Sequence, residues 1–220
     1  MTFLHDHYKY NRRPDNSNGC KPFIGDHPLV FSTGRNMVRY CFSPFFCIET
    51  RNAQRLNQDG PVVLLPKHQR WEDIPLLGLA SPHPLFFVAK YELFRQPWMA
   101  KCLQYLGGIA LNRKKPLQSR RSFKQVVELL ACGRRVVIFP EGTYYPDAIG
   151  TGHAGMIRFI LSRSRPRFLP VGIRYEKQGR RTHVCIRFGR PETAAPDIPV
   201  HQFLENMLYE IGRLSGMVSN

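Results

Sequence analysis

Acidic side chains are scarce in this sequence: 16 Asp and Glu stand against 32 Lys and Arg, leaving a formal net charge of +16. Such an excess says little about fold but points to anionic partners, either a phospholipid surface or a nucleic-acid backbone. Long hydrophobic runs are missing as well. No stretch approaches the roughly 20 apolar residues that a bilayer span requires, so no transmembrane helix is expected. The aromatic segment from Tyr40 to Ile48 is far too short. The six cysteines are dispersed and form no Cys-x-x-Cys pair, which favours free thiols in a reducing compartment. The histidines show no zinc spacing, and His5-Asp6-His7 offers only two of them on a polar tail, so no metal site is expected. A Gly-x-Ser-x-Gly elbow is absent, which disfavours a serine hydrolase of the α/β type. No helix-turn-helix, zinc-finger or RNP pattern accompanies the basic charge.

What remains reads as one α/β domain with extensions, and 220 residues are enough for a substantial core. Residues 1–27 are polar and rich in Asn, Asp, Lys and Arg. They read as a tail and lack the hydrophobic centre of a secretory signal. Residues 28–60 form an amphipathic, aromatic lead-in in which 40–48 either dips into a membrane interface or covers the sheet. From residue 61 to 220, apolar runs near 62–65, 85–89, 108–111, 135–139, 168–174 and 183–188 predict strands. Helices are predicted from about Ile74 and near 93–105, 117–132, 154–164 and 200–214. In the last of these, Phe203, Met207, Leu208, Ile211 and Leu214 form one stripe. The alternation predicts a single-domain α/β sandwich with a mixed, largely parallel sheet flanked by helices.

The segment Lys67-His68-Gln69-Arg70-Trp71-Glu72-Asp73 follows the run Val62-Val63-Leu64-Leu65. His68 and Asp73 therefore sit where a strand ends and a helix begins, a usual place for chemistry in an α/β sheet. Residues five apart on a regular helix point about 140° away from each other, so the two side chains meet only across a tight turn. A carboxylate there holds an imidazole in one tautomer and leaves the other nitrogen to take a proton. The plainer alternative makes Asp73 a helix N-cap, with Pro75 in the first turn and His68 an ordinary loop residue.

Three more segments follow in order: Leu106-Gly107-Gly108-Ile109-Ala110-Leu111-Asn112-Arg113, Val136-Val137-Ile138-Phe139-Pro140-Glu141-Gly142-Thr143, and Phe168-Leu169-Pro170-Val171-Gly172-Ile173. With His68 and Asp73 they resemble the four ordered blocks of the glycerolipid acyltransferase family, typified by lysophosphatidic acid acyltransferase. The resemblance spans about residues 61 to 175 and includes Phe87-Val88-Ala89-Lys90. It implies transfer of a fatty acyl chain from an acyl thioester, on coenzyme A or an acyl carrier protein, to a hydroxyl of lysophosphatidic acid. The product would be phosphatidic acid, with the thioester as co-substrate and no bound cofactor. His68 would be the general base and Asp73 its orienting carboxylate, with direct transfer and no covalent intermediate. Activity should then fall at acidic pH, where histidine ordinarily protonates.

The same resemblance assigns Arg113 to the acceptor phosphate, which a guanidinium binds in a fork. It also assigns Glu141 to binding and ordering the acceptor. Backbone amides at Gly142 or Thr143 are candidate donors to the thioester oxygen. Two positions depart from the usual pattern: Arg70 replaces a small hydroxyl residue and Lys67 replaces an asparagine. Both add positive charge beside the base, with roles in favouring neutral imidazole or contacting phosphate left open. Glu72, next to Asp73, is a competing carboxylate for His68, although the spacing favours Asp73.

Gly150-Thr151-Gly152-His153-Ala154-Gly155 matches a dinucleotide fingerprint, but no strand precedes it directly. A loop leading into a helix around Met156 to Arg163 explains its glycines equally well. Arg113 to Arg135 carries eight basic residues against Glu128 alone, and Arg158 to Arg190 is also rich in cations. Each cation near anionic headgroups contributes about 1 kcal/mol, within a screening length of about 8 Å. Peripheral attachment to the cytoplasmic side of a membrane is the expectation, with no nucleic-acid partner. The competing acceptors are glycerol 3-phosphate or another hydroxylated lipid. The competing class is a non-catalytic basic protein that binds lipid or nucleic acid.

Overall fold

The structure, a computed structural model, describes residues 28–57, 59–112 and 119–218. The predicted tail and Arg113 lie outside the described residues. The chain enters through helix α1 (Pro28–Phe42) and strand β1 (Phe46–Arg51), then a 3-10 turn at Ala53–Asn57. Strand β2 (Val62–Pro66), helix α2 (Asp73–Ala80) and strand β3 (Leu85–Lys90) follow. Helix α3 (Pro97–Tyr105), strand β4 (Gly108–Leu111), helix α4 (Arg120–Ala131), strand β5 (Arg135–Val137) and helix α5 (Gly155–Leu161) continue the alternation. Strands β6 (Arg167–Gln178) and β7 (Arg181–Phe188) and helix α6 (Val200–Ser215) complete it.

The described residues form one seven-stranded sheet in the order β1-β7-β6-β2-β5-β3-β4. Every neighbouring pair is parallel except the β6–β7 hairpin. Its two-residue turn places Gly179 at φ 59°, the left-handed conformation that tight hairpins assign to glycine. The sheet is thus mixed and largely parallel, as the alternating pattern predicts.

Strand β2 is central and buried along its whole length, which is why it reads as an unbroken apolar run. Successive side chains on a strand face opposite ways. Val63 and Leu65 join Phe86, Val88 and the apolar stripes of α4, α5 and α6 in one core. Val62 and Leu64 join Leu85, Phe87 and Leu76 and Leu77 of α2 in the other. On α6, Phe203, Met207, Leu208 and Ile211 are buried and Leu214 is half-buried. Gly172 of β6 lies so close to the Leu214 backbone that a β-carbon would collide with it. The helix ends at Gly216 in the left-handed conformation.

Four sequence expectations change. The segment 40–48 divides instead of acting as one piece. Phe42, Phe46 and Ile48 pack against the core on the α2 side, while Tyr40 and Phe45 remain exposed. Residues from 46 on form an edge strand, so the sheet begins inside the predicted lead-in. The helix predicted near 93–105 splits into a 3-10 turn at Tyr91–Phe94 and α3. Pro97 disfavours helical geometry at Gln96 but is well suited to the first position of a new helix. Cys41, Cys47 and Cys185 are free, but Cys132 is disulfide-bonded, since dispersal in sequence does not prevent meeting in space. No helix among the described residues is long and apolar enough to cross a membrane.

Candidate active site

The site forms where β2 and β5 end side by side at the carboxyl edge of the sheet. Hydrogen bonds prolong the pairing past both strands. Lys67 N–H donates to Val171 O at 2.9 Å, and Ile138 N–H to Leu64 O at 3.0 Å. The chain then turns tightly from His68 into α2, with Asp73 N–H bonding back to Arg70 O at 3.2 Å. The Gln69 side chain pins this turn to β6 by donating to Ile173 O at 2.6 Å.

The turn brings together the two side chains that helical geometry would separate. His68 Nδ1 lies 3.0 Å from Asp73 Oδ2, which also accepts the Gln69 and Arg70 backbone N–H groups at 2.6 and 2.9 Å. Asp73 is fully buried, and a carboxylate can only accept. Nδ1 therefore carries the proton, leaving Nε2 as the basic nitrogen. Asp73, not Glu72, is the partner of His68. The N-cap alternative also fails, because Asp73 lies inside the first turn of α2 and accepts from residues before the helix. The imidazole stacks on Phe139 at 3.9 Å between centroids, with Tyr144 tilted against it at 4.4 Å. Burial, with Asp73 and then Glu72 nearby, pushes the Tyr144 hydroxyl above its usual range.

Glu141 lies beneath this histidine. It is 1% exposed and receives the Lys67 ammonium on both oxygens at 2.8 Å. It also accepts His68 N–H at 2.9 Å and Gly150 N–H at 2.8 Å. Lys67, likewise buried, donates further to Tyr145 O at 2.7 Å and His68 O at 3.2 Å. Burial pushes its ammonium below the ordinary lysine range, and Glu141 opposes that shift. The resemblance assigns Glu141 to binding and ordering the acceptor. The Glu141 oxygens are occupied under the site, and its reach into the cleft is through the His68 backbone. The Lys67 ammonium is likewise occupied beneath the site, by Glu141 and by the Tyr145 and His68 carbonyls.

His68 lines a cleft of about 250 Å³ together with Gly142, Thr143, Tyr144 and Lys90. Gly142 takes φ 70°, where a side chain would be strained, and its N–H donates to Phe139 O at 3.2 Å. That amide is therefore engaged in its own turn. Ile74, Ala89 and Leu93 belong both to this cleft and to a second, apolar cavity of about 150 Å³. The cavity runs between α1, α2, β3 and α3, with Phe31, Val38, Gly78, Leu79, Phe87 and Leu103 in its walls.

Sequence reasoning missed two groups at this site. Tyr175 on β6 donates its hydroxyl to Asp73 Oδ1 at 2.6 Å, and the exposed Arg70 guanidinium lies 4.2 Å from the centroid of the Tyr175 ring. No local pattern marks a partner 102 positions away. The Lys67–Glu141 pair was equally invisible, although both residues belong to noted motifs. The glycine-rich stretch at 150–155 is a loop opening α5, as expected, and Gly150 serves Glu141. Among the described residues, no three His, Cys, Asp or Glu side chains group as a metal site.

An acyltransferase family model matches residues 47–174. A 1-acyl-sn-glycerol-3-phosphate acyltransferase of Bacillus subtilis is 32% identical over 97 residues, covering 44% of this chain and 48% of that protein. One of the same name from Pseudomonas aeruginosa is 42% identical over 100 residues, 44% of this chain and 38% of its own length. A lyso-ornithine lipid O-acyltransferase of Pseudomonas aeruginosa is 32% identical over 120 residues, 54% and 45% of the two chains. The chain thus spans about half or less of the length of these relatives. Its fold is that of the 1-acyl-sn-glycerophosphate acyltransferase PlsC of Thermotoga maritima. The TM-score is 0.66 over 87% of this chain and 82% of that one, at 20% identity. Matched by that family model over more than half its length, with His68, Asp73 and Glu141 all inside the matched span, this chain belongs to the acyltransferase family.

Proposed function

We propose that this protein transfers a fatty acyl group from an acyl thioester to the free hydroxyl of lysophosphatidic acid, giving phosphatidic acid. The observation that carries this reading is the His68–Asp73 pair at 3.0 Å in a cleft that shares Ile74, Ala89 and Leu93 with an apolar cavity. His68 Nε2 removes the hydroxyl proton as the oxygen attacks the thioester carbonyl carbon. Asp73 stabilises the imidazolium that forms. The carbon–sulfur bond then breaks, and the proton passes from Nε2 to the departing thiolate. The products are an ester and a free thiol, with no acyl group ever bonded to the protein.

The apolar cavity suits an alkyl chain, since burying each methylene there contributes about 0.8 kcal/mol. Lys90 brings positive charge into the cleft beside His68, where it suits the acceptor phosphate alongside the role assigned to Arg113. Thr143, which lines the same cleft, would donate to the thioester oxygen as charge develops on it. Leu29, Met37 and Tyr40 of α1, with Phe45 and Trp71, expose apolar surface. Together with the net charge of +16, this suits peripheral docking on an anionic leaflet.

The test is thiol release from long-chain acyl-CoA by purified protein, with and without lysophosphatidic acid, beside His68→Ala. Acceptor-dependent release lost in the variant is the expected result. Parallel assays with acyl carrier protein thioesters, glycerol 3-phosphate and lyso-ornithine lipid identify the donor and acceptor. Release that survives His68→Ala, or an acylated protein trapped during turnover, refutes the mechanism. No release with any pair favours a non-catalytic lipid-binding role.

A further inference from the structure

The three donors to Asp73 Oδ2 all come from the same short turn, residues 68 to 70. Alone, they would let turn and carboxylate move as one body. Oδ1 has a different kind of partner: the Tyr175 hydroxyl, at 2.6 Å, on a strand of the central sheet. β6 is the direct neighbour of β2, which delivers His68. The Arg70 guanidinium lies over the Tyr175 ring, 4.2 Å from its centroid. Arg70 is itself a member of the turn, so the contact closes a loop from His68 through Asp73 and Tyr175 back to Arg70.

We propose that Tyr175 is a positioning residue for the general base, fixing the Asp73 carboxylate to the sheet so that His68 stays aligned with the cleft. The inference rests on the general-base reading above. Burial and the Asp73 charge hold the hydroxyl in its protonated form well above the usual tyrosine range, so it remains a donor at every pH where the enzyme would work. Nothing in this role touches substrate. Tyr175 acts through Asp73, and its removal lowers turnover without altering substrate affinity. Arg70, in a position where the family commonly has a small hydroxyl residue, is accounted for as the clamp on the ring.

The experiment is a double-mutant cycle in thiol-release kinetics with Tyr175→Phe, Asp73→Asn and the double variant. Tyr175→Phe keeps the ring and its stacking. It should lower kcat about tenfold while KM for donor and acceptor stays within twofold. On the Asp73→Asn background the same change should cost less than twofold. Wild-type kcat in Tyr175→Phe overturns the proposal, and so does an equal, additive loss on both backgrounds. If Tyr175→Phe does not fold, Tyr175→Met takes its place in the same cycle, and wild-type kcat in that variant overturns the proposal. His68→Ala separates the two hypotheses: activity retained there refutes the general base itself, whereas activity lost there with a silent Tyr175→Phe refutes only the role of Tyr175.

Discussion

Replacing Lys67 with methionine removes the only cation that touches the Glu141 carboxylate among its described contacts. Both side chains of this pair are fully shielded from solvent, at a separation of 2.8 Å. Breaking a buried pair from one side costs roughly 3–5 kcal/mol, because the remaining charge has lost its partner in a medium that solvates it poorly. Two backbone N–H groups still reach Glu141 and soften the loss. Against this, the carbonyls of Tyr145 and His68 lose a donor. For a chain of this size, each kcal/mol moves the melting temperature by roughly 2–4 °C. Lys67→Met should therefore melt roughly 6–20 °C below the wild type at neutral pH. Glu141→Gln, which strands the ammonium, should fall in the same range. Combining Lys67→Met with Glu141→Gln removes both charges and should recover most of the difference, since a neutral replacement of a buried pair is often tolerated. The recovered protein should still turn over slowly, because His68 N–H has exchanged a carboxylate for an amide. Circular dichroism melts of the four proteins check this. A Lys67→Met melt within about 2 °C of wild type, or a double variant no better than the worse single one, would refute the buried pair as the support of the catalytic turn.

The raised Tyr175 titration has a thermodynamic consequence. Above the ordinary value of 10.0, the unfolded chain sheds this proton while the folded chain keeps it. Stability present below pH 10.0 is then lost as pH rises further, at about 1.4 kcal/mol per pH unit for this group. The pH dependence of stability from denaturant melts of wild type and Tyr175→Phe should diverge above pH 10, and parallel curves would count against a hydroxyl held protonated by burial and by Asp73. A β-carbon at Gly78 meets nothing within 4 Å, so Gly78→Leu should project into the apolar cavity without straining α2. Rates with long acyl thioesters should fall relative to short ones by roughly fourfold per displaced methylene, measured as kcat/KM across a chain-length series. Lys90→Ala should raise KM for a phosphorylated acceptor roughly tenfold or more and leave KM for the acyl donor unchanged. Met37→Glu with Tyr40→Glu should weaken co-sedimentation with anionic vesicles while leaving turnover of micellar substrate intact.

The class of fold was legible in the sequence because its signals are local. A strand buried on both faces has to be an apolar run, as at Val62 to Leu65, and a helix against a sheet has to show a stripe, as from Phe203 to Ile211. The turn at His68 to Asp73 was legible for the same reason, since six consecutive residues hold both partners and the geometry that joins them. The ordered blocks pointed to the acyltransferase family, whose model matches residues 47–174. Less of the architecture was written locally where elements are short. β1 was read as part of a lead-in because a half-exposed edge strand carries little periodicity, and Pro97 divided a segment whose apolar pattern runs on.

What holds the His68–Asp73 turn in place was decided by tertiary structure. Lys67 looked like added charge beside His68, yet it is buried and neutralised by a residue 74 positions away. Glu141 meets Lys67, the His68 N–H and the Gly150 N–H only because parallel β2 and β5 end together. Tyr175 carried no motif, and it reaches Asp73 only because β6 lies next to β2. The apolar cavity between α1, α2, β3 and α3 belongs to no single segment. Local chemistry is encoded in neighbouring residues, where spacing and residue type suffice to read it. Burial, pairing and cavity shape depend on which distant strands become neighbours, and that is set only when the sheet assembles.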